Sequence, residues 1–344
     1  MRTSERNLAA DAVKGLMILL VIFHHSCLLP FLHHGYLGVD VFFVISGFYL
    51  MRHFSLNRDC TAFRYTAGRL RRTYLPYLFA FGLACILDFR RLLSFQGFEG
   101  FMETFAPVAS FLTLTEGLEF LVHTPIILTG GWFLSVLIIG GFLLYGLVEY
   151  DERLSTRVIL PFGIIAAYTF LFTKNSASVE SWYALGAVSM PLLRGCADMG
   201  VGILLYSLIQ ENQEWMAGKR TWLAVLSLLS LVLFALMAIS RKSYDSFLVI
   251  VVPLMLMGVL IPGSPLNAFY GKWKPALLPR LGALSLELYL IHYPMIHIVH
   301  SGFKFLGLPL KAAFLLPADL LFILLAAIGL RWLCSIILSG KKKS

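Results

Sequence analysis

Residues 11–26 read DAVKGLMILLVIFHHS, an apolar run held between one lysine and two histidines. With its neighbours it extends over 9–30. At 1.5 Å per residue that is about 33 Å, enough to cross a hydrocarbon layer of about 30 Å. Nine further runs of similar length follow near 36–54, 74–90, 126–148, 157–173, 191–210, 221–240, 245–262, 281–301 and 313–337. The run 101–121 is apolar but short, and Glu103, Pro107 and Glu116 break it. It reads as an amphipathic or re-entrant piece. The expected fold is an all-α integral membrane protein, a bundle of about ten transmembrane helices forming one domain over residues 1–344.

Composition agrees with that reading. The chain is 58% hydrophobic and 14% charged, with a mean hydropathy of +0.80. A soluble globule carries about 25% charged residues. The net charge of +9 does not point to nucleic acid, because the basic residues sit between the apolar runs, where they set topology. With the N-terminus inside, twenty of the 28 Lys and Arg fall on the inner side and seven on the outer, with Arg194 at a helix end. Both termini are therefore expected in the cytosol. The start MRTSERNLAADAVKG carries two acids and leads to no small-residue cleavage site, so a removed signal peptide is not expected. Five scattered cysteines read as buried free thiols rather than a metal or disulfide framework. No phosphate-binding loop, dinucleotide Gly motif, H-E-x-x-H or nucleophile elbow occurs. No internal inverted repeat is visible, which weakens a transporter reading.

Ionisable groups inside spans are expensive, so each calls for a reason. Lys14 and His25, eleven residues apart, lie within about 20° of one helix face, with His25 about 16 Å further along the axis. Asp11 lies one turn before Lys14 and can pair with it. Lys14 binds an anion on this reading, or else snorkels to the inner interface; His25 handles a proton. His24 falls near the outer end. Asp40, in GYLGVDVFFVISGFYL, can orient a histidine or satisfy a neighbouring helix. Gly38 and Gly47 permit close helix approach. Arg69 and Arg72 enter the third span in RLRRTYLPYL, where they recognise phosphate or anchor to anionic lipid. Glu287 and His292 lie in SLELYLIHYP, where Glu287 can face a cavity or bond to another helix. His297 and His300 read as interfacial. Arg194 and Asp198 form an i, i+4 pair that reads as self-neutralising. Trp132, in GGWFLSVL, reads as an interfacial anchor.

Taken together, DAVKGLMILLVIFHH, GYLGVDVFFVISGFYL, RLRRTYLPYL, GGWFLSVL, LLRGCADMGVGILLY and LGALSLELYLIHYP resemble the membrane acyltransferase 3 family, in family order between residues 11 and 297. That resemblance implies transfer of an acyl group, acetyl by default, from cytosolic acyl-CoA to a hydroxyl of a cell-surface carbohydrate or lipid-linked glycan. The setting it implies is a bacterial inner membrane, with membrane lipid around the bundle and no nucleic-acid partner. It implies a catalytic role for His25, and Asp40 and Glu287 are expected to complete the catalytic set, with either acid orienting the histidine. It implies substrate-binding roles for Lys14, Arg69 and Arg72, and His24, Trp132 and His292 are expected to bind substrate with them. Acyl-CoA is a co-substrate, and no bound cofactor or metal is expected. Direct transfer and a covalent acyl-enzyme are both open. Two departures from the family pattern stand out: Lys14 replaces an arginine and so loses its two-pronged fork, and Leu137 replaces a glutamate. A non-catalytic exporter of a glycan, lipid or small polar solute is the alternative.

Overall fold

The computed structural model describes residues 6–87, 108–115, 118, 130–174, 184–185, 188–272 and 277–340. The described chain is helical, apart from one antiparallel pair in which Ala184 faces Ser189 and Leu185 faces Val188. Helix α1 is Leu8–Ser26, α2 Gly38–Leu56 and α3 Ala62–Leu87. They are followed by α4 Gly131–Tyr150, α5 Glu152–Lys174 (which includes a π-helical turn over Ser155–Ile159) and α6 Met190–Glu211. The rest are α7 Arg220–Ile239, α8 Leu248–Leu260, α9 Pro265–Lys272, α10 Leu277–Ala283, α11 Ser285–Phe305 and α12 Ala312–Gly340.

Among the described residues, seven helices are long and apolar enough to cross a bilayer: α1, α2 with its preceding turn, α4, α5, α6, α7 and α12. An eighth span results if α8 with its leading turn and α9, which meet at 61°, are taken together. The chain is thus a multi-pass membrane protein. The runs at 74–90 and 281–301 correspond to α3 and α11. Their 26 and 21 residues reach about 39 and 31 Å, but polar side chains dilute their hydropathy. Arg64, Arg69, Arg71 and Arg72 do so in α3, and Glu287, His292, His297, His300 and Lys304 in α11. Helix α3 starts at Ala62, well before 74, because its basic stretch is itself helical. The run at 281–301 is broken into α10 and α11 around Leu284. Residues 88–90 and 126–129 of the expected spans, and most of 101–121, lie outside the described residues. Within that last run, 108–113 form a short helix. The Phe111 and Leu114 carbonyls accept from the hydroxyls of Tyr77 and Ser135 at 2.9 and 2.6 Å.

Residue burial separates centre from periphery. The most apolar stretch of α2, with its turn, is 78% buried and those of α4 and α6 72% and 67%, whereas that of α12 is 22% buried. Leu321, Phe322, Leu325, Ile328 and Trp332 of α12 face outward; lipid solvates such a face as readily as a protein core would. The centre depends on small residues. A Cβ on Gly47 would overlap the Met199 carbonyl, and one on Gly202 the Val44 carbonyl, so α2 and α6 touch backbone to backbone. Gly15 and Gly282 do the same for α1 and α10, against the Leu278 and Asp11 carbonyls. Gly38 sits on the Met17 carbonyl, so the expected close approach of Gly38 and Gly47 is present at both positions. Gly47→Ala is expected to destabilise the protein by about 1–3 kcal/mol through overpacking. Thermal melting in detergent measures this; an unchanged melting point would mean that the two helices separate freely.

Charged clamps join the outer helices. Arg331 Nε and Nη2 of α12 donate to both Glu287 carboxylate oxygens, at 2.9 and 3.0 Å, and Nη2 also reaches the Ala283 carbonyl. His300 Nε2 meets Asp319 Oδ2 at 3.0 Å. The two clamps sit about 20 Å apart along α11 and tie α12 alongside it. His300 is therefore part of a helix–helix contact. No disulfide joins any of the five cysteines; Cys334 is buried and Cys27 is exposed, not buried as expected.

Candidate active site

Helix α1 is capped by Asn7, whose side chain accepts from Ala10 N at 2.9 Å and donates to Val259 O at 2.9 Å. Asp11 in the first turn favours the helix dipole and binds two cations: Lys14 Nζ at 2.5 Å and Arg6 Nε at 2.5 Å. Paired in this way, Lys14 is held within the protein and lines a cavity of about 210 Å³. Arg69 of α3 lines the same cavity, together with Ser46, Thr73, Ser285, Phe133, Leu137 and Tyr289. Arg69 Nη1 donates to Tyr65 Oη at 2.9 Å, and the Tyr65 ring stacks on Tyr145 at 4.5 Å and 18°. Two fixed cations from different helices thus face one hollow, an arrangement suited to an anion. Arg72 is not part of it. Its guanidinium is exposed and its Nε donates to Gly68 O at 3.1 Å, on the outside of α3. One helical turn separates the two arginines in sequence, but α3 turns only Arg69 inward.

Toward the other end of α1, His25 meets His292 of α11. His292 Nδ1–H donates to the Tyr289 carbonyl at 2.6 Å, so its Nε2 carries the lone pair. His25 Nδ1–H donates to the Val21 carbonyl at 2.9 Å and lies 3.3 Å from that Nε2. The two carbonyls can only accept, so both rings are held in the Nδ1–H form. His25 Nε2 is left as the free basic nitrogen, with no hydrogen-bond partner among the described residues. The Tyr293 ring closes the other side of His25, at 6.2 Å. The expected stripe is present: Lys14 opposes Ser285, Leu286 and Tyr289 around the cavity, and His25 opposes His292 and Tyr293. Tyr289 joins the halves, its ring in the cavity wall and its carbonyl on His292.

Neither carboxylate expected to orient His25 hydrogen-bonds a histidine among the described residues. Both Asp40 oxygens accept from Arg194, from Nε at 2.6 Å and Nη2 at 2.7 Å. Both Glu287 oxygens are taken by Arg331. Arg194 therefore pairs across helices, not with Asp198 one turn on; Asp198 instead accepts from the Tyr168 hydroxyl. Trp132 is buried, not interfacial, and the Arg194 guanidinium lies 6.0 Å from its ring. His24 sits edge-on to Tyr36 at 5.8 Å and to His25 at 5.3 Å. Sequence reasoning missed Asp319, Asp245 and the pairing roles of Arg331 and Arg194. The signal for the first two was available, an acid within or bordering an apolar run. Among the described residues no group of three His, Cys, Asp or Glu is placed to hold a metal ion.

A family model described as an acyltransferase domain matches residues 7–336. No curated protein and no solved structure matches the chain.

Proposed function

The chain belongs to the acyltransferase 3 family, and on that premise we propose that it moves an acyl group from cytosolic acyl-CoA to a carbohydrate hydroxyl at the outer side of the bacterial inner membrane. Acetyl is the acyl group proposed. Ten helices, α3 and α11 included, would then cross the bilayer with both termini cytosolic, in keeping with the inward bias of Lys and Arg. The observation that carries the reading is that Lys14 and Arg69 share a cavity whose wall, Tyr289, also holds the histidine beside His25.

Phosphate oxygens of the donor meet Lys14 and Arg69, and the pantetheine arm runs past Phe133 and Tyr289. Lys14 and His25 lie about 16 Å apart along the axis, a separation that lets a phosphate rest at one while the thioester reaches the other. His25 Nε2 takes the proton from the acceptor hydroxyl as the oxygen attacks the thioester carbonyl. The new ester C–O bond forms and the C–S bond breaks. The departing thiolate takes the proton from His25, so the ring ends as it began and no net proton is released. Two neutral tautomers locked by backbone carbonyls prepare this base without a carboxylate.

The test is thioester cleavage by purified protein supplied with labelled acetyl-CoA. Arg69→Ala is expected to raise KM for acetyl-CoA roughly ten- to a hundredfold, the worth of a hydrogen bond to a charged group, with a smaller change in kcat. Arg72→Ala is expected to alter KM far less. Folded wild-type protein that neither cleaves nor transfers from any acyl-CoA would overturn the proposal in favour of transport.

A further inference from the structure

A groove of about 730 Å³ is lined by α5, α6 and α8, apart from the groups used above. Its volume falls within the range of about 300–1,000 Å³ usual for small-molecule sites. Its charged and hydroxyl groups gather at one end. Thr156 and Arg157 stand near the start of α5, and Ser207 and Glu211 near the end of α6. Arg157 Nη2 donates to Glu211 Oε1 at 3.2 Å, so these two helix ends meet there. Thr156 and Arg157 belong to the π-helical turn of α5, a feature that recurs at functional sites. Beyond this end the lining is apolar: Ile164 and Ile165 of α5, Val201 and Leu204 of α6, and Val249 and Pro253 of α8. Ile165 and Leu208 are 65% and 44% exposed, so the groove opens sideways, toward lipid.

From Glu211 to Val201 the groove extends about 15 Å along α6. One leaflet of a hydrocarbon core of about 30 Å has that same thickness. The groove therefore has the length and the polarity of a single lipid, charged at the interface and apolar as far as the midplane. The charges select the headgroup. The Arg157 and Glu211 side chains are 71% and 61% exposed, and a pair so exposed contributes little to stability and is easily exchanged for a ligand. A guanidinium binds a phosphate through two parallel hydrogen bonds. A carboxylate needs an N–H or O–H donor. A headgroup with negative charge alone suits Arg157 and is repelled by Glu211. A choline headgroup has no N–H for Glu211 to accept, whereas an ethanolamine headgroup carries a phosphate and a primary ammonium together.

We infer that this groove holds a phospholipid with an ethanolamine headgroup, its phosphate on Arg157, its ammonium on Glu211 and an acyl chain running along α6 toward Val201. With Arg157 on the cytosolic side, where the bias of Lys and Arg puts it, the lipid belongs to the inner leaflet. The inference does not depend on acyl transfer, since none of the groove's residues lines the Lys14–Arg69 cavity.

The experiment titrates the purified full chain in detergent with phosphatidylethanolamine, phosphatidylcholine or phosphatidylglycerol of one chain length, and native mass spectrometry counts the bound lipid. Phosphatidylethanolamine is expected to bind roughly three- to tenfold more tightly than phosphatidylcholine, the contribution of one hydrogen bond. Glu211→Ala is expected to abolish that difference by weakening phosphatidylethanolamine alone. Glu211→Asp, which keeps the carboxylate, is expected to retain most of it. Arg157→Ala should weaken all three lipids, and Leu204→Trp, which fills the apolar part of the groove, should do the same. Both charged side chains are exposed, so melting points of the Arg157 and Glu211 variants should match the wild type. Equal binding of phosphatidylethanolamine and phosphatidylcholine by the wild type, or a preference that survives in Glu211→Ala, would overturn the inference. Tightest binding of phosphatidylglycerol would also overturn it, in favour of an anion site on Arg157 alone.

Discussion

His25→Ala is expected to lower acyl transfer by about a thousandfold, in the middle of the range for losing a positioned general base. The protein should remain folded, because the ring is only half-buried and its hydrogen bonds run to a backbone carbonyl and to one other imidazole. The geometry also predicts a graded series. His292→Ala keeps the base but removes the acceptor that helps to hold His25 Nδ1–H, so a smaller loss is expected, about tenfold. His292→Gln, which can again accept from Nδ1–H, should recover part of that loss. In the double variant, His292→Ala should have no further effect once His25 is gone, since the two act as a unit. Single-turnover rates of CoA release, measured beside melting points, decide the matter. A folded His25→Ala protein that turns over at the wild-type rate would remove the ring from the chemistry and leave the Lys14–Arg69 cavity as an anion site alone.

Much of this arrangement is legible in the sequence, and the illegible part has one physical cause. Apolar runs of the right length become helices, because a backbone in lipid must bond to itself. Helical periodicity put Lys14 and His25 on one stripe, and that stripe does face α11. Periodicity describes a helix in its own frame, however, and says nothing of which neighbour a face meets. Asp40 finds its guanidinium 154 residues away, and Glu287 finds its own 44 residues away. A spacing rule offered Arg194 its near neighbour Asp198, yet α2 and α6, drawn together at Gly47 and Gly202, bring Asp40 to it instead. Arg331 counted as one inward charge among twenty until α12 lay against α11. Arg69 and Arg72 could not be separated by sequence, since both fit a phosphate or a headgroup; only the rotation of α3 assigns the cavity to one of them. The histidine tautomers were equally hidden, because they depend on the carbonyls of Val21 and Tyr289.

The largest effect on stability is expected at Arg194. Its side chain and that of Asp40 are 2% and 1% exposed, and they meet through two short hydrogen bonds. The guanidinium also lies 5.7 Å from the Tyr36 ring and 6.0 Å from that of Trp132, so α2, α4, α6 and the turn before α2 converge on it. Breaking a buried pair from one side destabilises by about 3–5 kcal/mol, because the charge left behind has neither water nor partner. The two sides are not equivalent. Arg194→Ala strands Asp40 and leaves a second buried carboxylate, Asp198, on the same helix one turn away. Asp40→Ala strands only Arg194, for which Asp198 at i+4 can serve as a substitute acceptor. Arg194→Ala should therefore yield little or no folded protein, while Asp40→Ala folds with a melting point lowered by about 10 °C, taking roughly 2–4 °C per kcal/mol. Replacing both with leucine removes the unpaired charge and should recover more folded protein than Arg194→Ala alone. Size-exclusion profiles and melting curves in detergent distinguish these outcomes. Equal losses in the two single variants would show that Asp198 cannot take over the guanidinium. A folded Arg194→Ala protein without activity would instead make the pair part of the reaction's machinery, acting through Trp132 and Tyr36.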